Sequence, residues 1–182
     1  YEVIDFKKID FPLLHAALFF ITNEERRKAN MDPFEYQSRI EKIASEHARD
    51  MVKYGFYSHT STIRIKRTVQ DRFHLEGLNP EYFGENICST YGLKYETGRK
   101  VNPPYPTGVF TYAFTSKGET IPPHTYISFA KEVVKLWMES PAHRQNILNP
   151  NFSTLGCGAS LYLEKSFYNM PYFKVVQNFG SQ

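Results

Sequence analysis

The chain has 182 residues, of which 41% are hydrophobic and 23% charged, with a formal net charge of +3. That length suits one domain with a core of its own. The small, interspersed charge excludes a basic nucleic-acid-binding stripe, and the lack of any run of about 18 apolar residues excludes a membrane-spanning helix.

The chain starts at Tyr1 without an initiator Met. It reads as a trimmed mature fragment, with any signal peptide or lipid anchor lying upstream. From Pro12 to Lys28 the pattern is helical, with Leu14, Leu18 and Ile21 at i, i+4 and i+7. Asp32 and Pro33 are expected to cap and open a second helix that runs to about Tyr54. Its apolar stripe holds Ile40, Ile43, Ala44, His47 and Met51, and Gly55 ends it. His47 on that stripe reads as a hydrogen-bonded core histidine.

A polar-aromatic turn follows from Phe56 to Thr60, then a short helix from Ile65 to Leu75. The run Gly84-Glu85-Asn86-Ile87-Cys88 reads as a turn entering a strand. Residues 89–126 form a long insertion rich in Pro and aromatics, with one or two irregular hairpins and too little chain for a core of its own. Its rings Tyr91, Tyr95, Tyr105, Phe110, Tyr112, Phe114 and Tyr126 suit either an exposed apolar rim or a cover for a sheet edge.

A helix is expected from about Phe129 to Glu139, with Val133, Val134 and Trp137 in the core, ending at Ser140-Pro141. Two strands, Leu155–Leu163 and Tyr172–Phe179, close the chain around a turn at Asn169-Met170-Pro171. Helices first and paired strands last predict one α+β domain over residues 1–182, with a small antiparallel sheet covered by helices. Two cysteines, Cys88 and Cys157, are too few for a disulfide scaffold. They fit one bridge or two buried thiols equally well.

Six segments taken together resemble the CAP superfamily: cysteine-rich secretory proteins, antigen 5 and pathogenesis-related class 1 proteins. They are Glu46–Met51, Phe56–His59, Gly84–Ile87, Trp137–Leu148, Phe152–Gly158 and Val176–Gly180. Each is weak alone, but the ordered set is specific, and the wording of the last segments is similar to the bacterial branch. The resemblance implies a three-layer α-β-α sandwich in an extracellular or surface-displayed protein. It also implies a cleft carrying His59, Glu85 and His143. The family's second glutamate falls at Ser140 here, with Glu139 one residue early and about 100° round the helix.

Two imidazoles and a carboxylate are a sensible set for Zn²⁺ or another divalent cation, with one position left for water. The same groups could equally form a buried polar network that locks helices onto the sheet. A metal-dependent hydrolase using His59, His143 and Glu85 is one reading. A Ser58/His59/Glu85 hydrolase is another, though no GxSxG motif supports it. Arg144 is expected to clamp Glu85 or Glu139, and His15, His74 and His124 read as surface or packing residues. With no complete catalytic signature, the favoured expectation is a non-catalytic, monomeric binding module. Its partner would be an extracellular protein or a small ligand, with lipid or sterol held by the insertion as a further alternative.

Overall fold

Asp10 opens the first helix by accepting a hydrogen bond from the Leu13 amide, and Arg26, Arg27 and Lys28 complete its last turn where the helix dipole favours cations. This helix, α1 (Phe11–Lys28), buries Leu14 and Leu18. The structure is a computed structural model and describes residues 2–114 and 118–181.

After α1 the chain departs from expectation. Asp32-Pro33 starts no helix; residues 33–37 stay extended and contain β1 (Glu35–Tyr36). Asn23 explains this. Its side chain donates to the Phe34 carbonyl at 3.1 Å and accepts from the Phe34 amide at 2.7 Å, mimicking a strand partner. Arg26 also lies over the Phe34 ring and donates to the Asp32 carbonyl, which fixes the segment from the other side. Helix α2 (Ser38–Lys53) therefore begins late, with Gln37 as its cap, and Gly55 follows its end at φ +66°.

The helix expected from Ile65 is divided. Arg64–Lys66 form one 3-10 turn, Thr68 is extended, and α3 (Val69–Leu75) starts from a capping box of Thr68 and Asp71. Next come β2 (Phe83–Tyr91) and the short hairpin of β3 (Val101–Asn102) and β4 (Thr111–Tyr112). A capping box of Thr125 and Ser128 starts α4 (Tyr126–Glu139) three residues earlier than predicted. The stretch around His143, for which no element was predicted, is α5 (Pro141–Ile147), with Pro141 at its first turn. Strands β5 (Thr154–Glu164) and β6 (Met170–Gly180) close the chain as a hairpin whose turn reaches Asn169.

The main sheet has the order β1-β5-β6-β2. It is mixed rather than purely antiparallel, because β1 runs parallel to β5. Alternation splits the strand side chains between two helical layers. One face packs Cys88, Cys157, Ala159, Phe173, Val175 and Phe179 against α1 and α4. The other packs Ile87 and Val176 against Ala44, Ala48 and Met51 of α2. Gly156 and Gly158 belong to the second face, and a Cβ on either would overlap the α2 backbone at Ile40–Glu41 or Ala44–Ser45. This glycine pair lets the helix rest directly on the strand.

The topology also settles the cysteines. Strand β6 stands between β2 and β5, and Cys88 faces Val175 while Cys157 faces Gln177, so the two are more than two strand spacings, about 9–10 Å, apart. That exceeds the roughly 7 Å limit for a bridge, and both are buried free thiols.

Side chains cap backbone groups on both flanks of the sheet. On β2, the outward carbonyls of Glu85 and Ile87 accept from Asn146 and from the Trp137 indole. On β5, the Ala159 amide donates to His15. The insertion does build a small core, in which Leu93, Val101, Phe110, Tyr112 and Ile121 close over Met170 of β6. The alternatives for the aromatic rings were a rim or a cover, and most of the rings are turned inward. Phe110, Tyr112 and Tyr126 are buried, Tyr91 and Tyr95 pack on Tyr172 and Phe167, and only Tyr105 (75% exposed) and Phe114 (91%) face solvent among the seven.

Candidate functional site

Glu85 stands on β2 facing α2, and its carboxylate is 2% exposed. An ionised carboxylate this deep requires donors on both oxygens, and the fold supplies them. His59 Nδ1–H donates to Oε1 at 2.9 Å. Arg72 Nη2 donates to Oε2 at 2.6 Å, and Asn178 Nδ2 to the same oxygen at 3.0 Å. His47 Nε2 lies 3.8 Å from Oε1 and donates to the Ser58 carbonyl at 3.0 Å. Burial alone would raise the Glu85 carboxyl pKa. The His59 hydrogen bond and the charge of Arg72 outweigh it, and the group sits below the ordinary glutamate range. Burial pushes His47 the other way, toward the neutral form.

Arg72 explains why the loop after α2 lies where it does. From α3 it donates to the His59 carbonyl and, at 3.1 Å, to the Lys66 carbonyl while pairing with Glu85. Lys66 in turn reaches Glu46 and Asp50 on α2. A second network continues behind Glu85. Asn146 of α5 donates to Asn86 Oδ1 at 2.8 Å, Asn86 donates to the His143 carbonyl at 3.1 Å, and Gln177 donates to Thr22 at 2.5 Å.

The structure thus joins His59 to Glu85 directly. His143 is half-buried on α5, and burial together with the charge of nearby His59 lowers its pKa. Glu139 is not part of the group: it is 62% exposed, lies 3.9 Å from Lys135, and faces a groove between α1 and α4. That groove, about 800 Å³, is lined by Phe20, Ile127, Val134 and Met138 and also takes Arg144. Arg144 accordingly clamps neither Glu85 nor Glu139 as expected; Arg72 is the clamp. The Ser58 hydroxyl accepts from the Thr60 amide and, among the described residues, makes no hydrogen bond to His59, so the Ser58/His59/Glu85 arrangement is not assembled.

The donor set does not fit the expected three-ligand metal site. Both Glu85 oxygens are already bonded, and a guanidinium 2.6 Å away opposes a second cation there. Among the described residues, no three His, Cys, Asp or Glu side chains gather in a metal-holding group. The groups that retain free donor capacity are His59, whose exposed ring (52%) uses only Nδ1 on Glu85, and His143.

Sequence reasoning passed over Arg72 and did not connect His47, Asn86, Asn146 and Asn178 to the cluster. The three asparagines lie inside the quoted motifs, Asn86 directly after Glu85. Arg72 lies outside every motif. Of the remaining histidines, His15 and His124 are buried, and His74 on the surface bonds Asn79.

Two helical layers around a mixed sheet, with a histidine–glutamate pair at the start of β2, define a recognisable class of domain. The model of the cysteine-rich secretory protein family (CAP) matches residues 19–179, and the chain belongs to that family. It is similar to the uncharacterized protein YkwD of Bacillus subtilis, at 28% identity over 140 residues covering 76% of this chain and 39% of YkwD. Among solved structures it is similar to an extracellular protein containing an SCP domain from Bacillus anthracis, with TM-score 0.61, 21% identity and coverage of 94% of this chain and 41% of that one. It is also similar to an outer surface protein of Borrelia burgdorferi, with TM-score 0.57, 19% identity and coverage of 92% and 91%. At these identities the structural likeness is one of fold. The chain spans about two-fifths of the YkwD and B. anthracis proteins. Among the described residues no helix is long and apolar enough to cross a membrane.

Proposed function

We propose that the chain works outside the cell or on its surface as a binding module, and that the His59/Glu85 cluster holds the fold rather than performing chemistry. The observation that carries this reading is the saturation of Glu85. A general base needs a lone pair directed at substrate and a pKa near the working pH. Glu85 has donors on both oxygens, a guanidinium beside it and a lowered pKa. The likeness to an extracellular protein of B. anthracis and an outer surface protein of B. burgdorferi supports the location.

A second reading, a metal-dependent hydrolase, draws on the free donor capacity of His59 and His143. Two imidazoles would hold Zn²⁺ weakly and leave positions for water. Calorimetry with zinc on the wild type and on His59→Ala separates the two. The module reading expects at most weak heat that His59→Ala abolishes, and no peptide or ester hydrolysis. Hydrolysis lost to a chelator and to His143→Ala would establish the enzyme and overturn the module.

A further inference from the structure

A second polar patch lies on the α2-facing side of the sheet, in the strand rows next after Gly158 and Val176. Register sets Ser89 of β2, Lys174 of β6 and Ser160 of β5 in one row, and Tyr91, Tyr172 and Tyr162 in the next. Alternation puts both rows on the face that carries Glu85 and Val176. The loop after α2 lays Tyr57 over them. Lys174 Nζ is 4.4 Å from the Tyr57 ring centre and 4.9 Å from that of Tyr162. It donates to Ser89 Oγ at 3.1 Å, which lies 3.3 Å from the Tyr162 hydroxyl.

This ammonium has no ion-pair partner within 4.0 Å among the described residues. Glu164 acts on it only from a distance, its carboxylate being held by Ser166. Burial lowers the Lys174 pKa, partly offset by Glu164. A half-buried cation without a counter-ion is a place where an anion gains most. The flanking groups narrow the choice. Serine and tyrosine hydroxyls offer hydrogen bonds both ways, and the exposed Tyr57 ring offers flat apolar surface. A sugar presents the complementary pair, a C–H face and a hydroxyl edge.

We propose that Lys174, Ser89, Ser160 and Tyr57 form a binding site for a saccharide bearing a carboxylate. The carboxylate sits on Lys174 and the ring lies against Tyr57. This rests on the binding-module reading and gives it a ligand class. The site lies four residues past Glu85 on β2, about 13 Å away, so it does not use the His59/Glu85 cluster.

Calorimetry with trigalacturonic acid, its methyl ester, sodium acetate and a short oligoglutamate tests the assignment. NMR of the Lys174 Cε resonance is followed in parallel. The expected result is binding of the acid alone, with a shift at Lys174. Affinity should fall at least about tenfold in Lys174→Met, as for loss of a charge-assisted hydrogen bond, and persist in Lys174→Arg. Ser89→Ala should weaken binding, and Lys135→Met, an exposed lysine on α4 across the sheet, should leave it unchanged. If Lys174→Met fails to fold, Ser89→Ala and Tyr57→Ala carry the test. Equal binding of the methyl ester, binding of oligoglutamate with the saccharide silent, or binding that Lys174→Met leaves intact would each overturn the site. Silence with every saccharide removes it too and leaves the module reading standing. Cleavage of the saccharide would instead overturn the module reading.

Discussion

Glu85→Gln preserves the volume and one acceptor at the centre of the cluster but removes the charge. Arg72, buried with Glu85 as its ion-pair partner, would then hold an uncompensated guanidinium, and His59 would lose its anionic acceptor. Breaking a buried pair from one side costs about 3–5 kcal/mol. For a chain of this size each kcal/mol moves Tm by about 2–4 °C, so a drop of roughly 6–20 °C is expected. Arg72→Met should cost a similar amount, and the double variant less than the sum, because neither charge is then stranded. Trp137 is a built-in reporter for urea unfolding: it is the chain's one tryptophan, it is buried, and it donates to the Ile87 carbonyl two residues beyond Glu85. Glu85 titrates below 4.5 in the folded state. Its contribution is therefore full above that unfolded value and is lost as pH falls through the lower folded one. The reasoning is falsified if Glu85→Gln unfolds within about 1 kcal/mol of the wild type, or if the two single losses add.

Acid should act earlier through His15 and His124, whose buried rings titrate at about 4 instead of 6.5. The unfolded chain binds the extra protons, so stability is greatest above 6.5 and falls toward pH 4, by up to about 3 kcal/mol per ring. Urea midpoints at pH 7.5 and 4.5 should differ in the wild type and differ less in His15→Gln; matching profiles would refute the assignment. Gly158→Ala should lift α2 off β5 and cost about 1–3 kcal/mol or more, read as a lower midpoint; an unchanged midpoint would mean the helix does not rest on the strand. Burial pushes both thiols up, Cys88 to about 12. Ellman's reagent should find neither in the native protein and both in urea, whereas no thiol in urea would reveal a disulfide.

Much of the fold was legible because local signals agreed with tertiary ones. The i, i+4, i+7 stripe of Leu14, Leu18 and Ile21 is the buried face of α1, and the alternation along Phe173–Asn178 is the two-sided burial of β6. The failures share a cause: contacts distant in sequence outweighed local chemistry. Asp32-Pro33 is a sound helix opening, but Asn23 and Arg26 already hold Phe34 at the entrance to β1. Of the cluster, His59 and Glu85 were legible from the resemblance. Arg72 was not, because a single arginine on a short amphipathic helix carries no local sign that it will be buried. Nor could spacing show that β6 would separate the two cysteines.

The closure of the sheet flanks has a further consequence. Lateral growth of this sheet, one chain adding its strands to the next, meets side chains of Asn146 and Trp137 on one flank and His15 on the other. These plugs come from helices whose other faces are fixed in the core, so they cannot swing away singly. His15 alone among them gains a proton in acid, at about pH 4, and a protonated ring can no longer accept the Ala159 amide. Polymerisation in acid would therefore begin along β5 rather than β2, giving the molecule one border that acid unlocks and one that it does not.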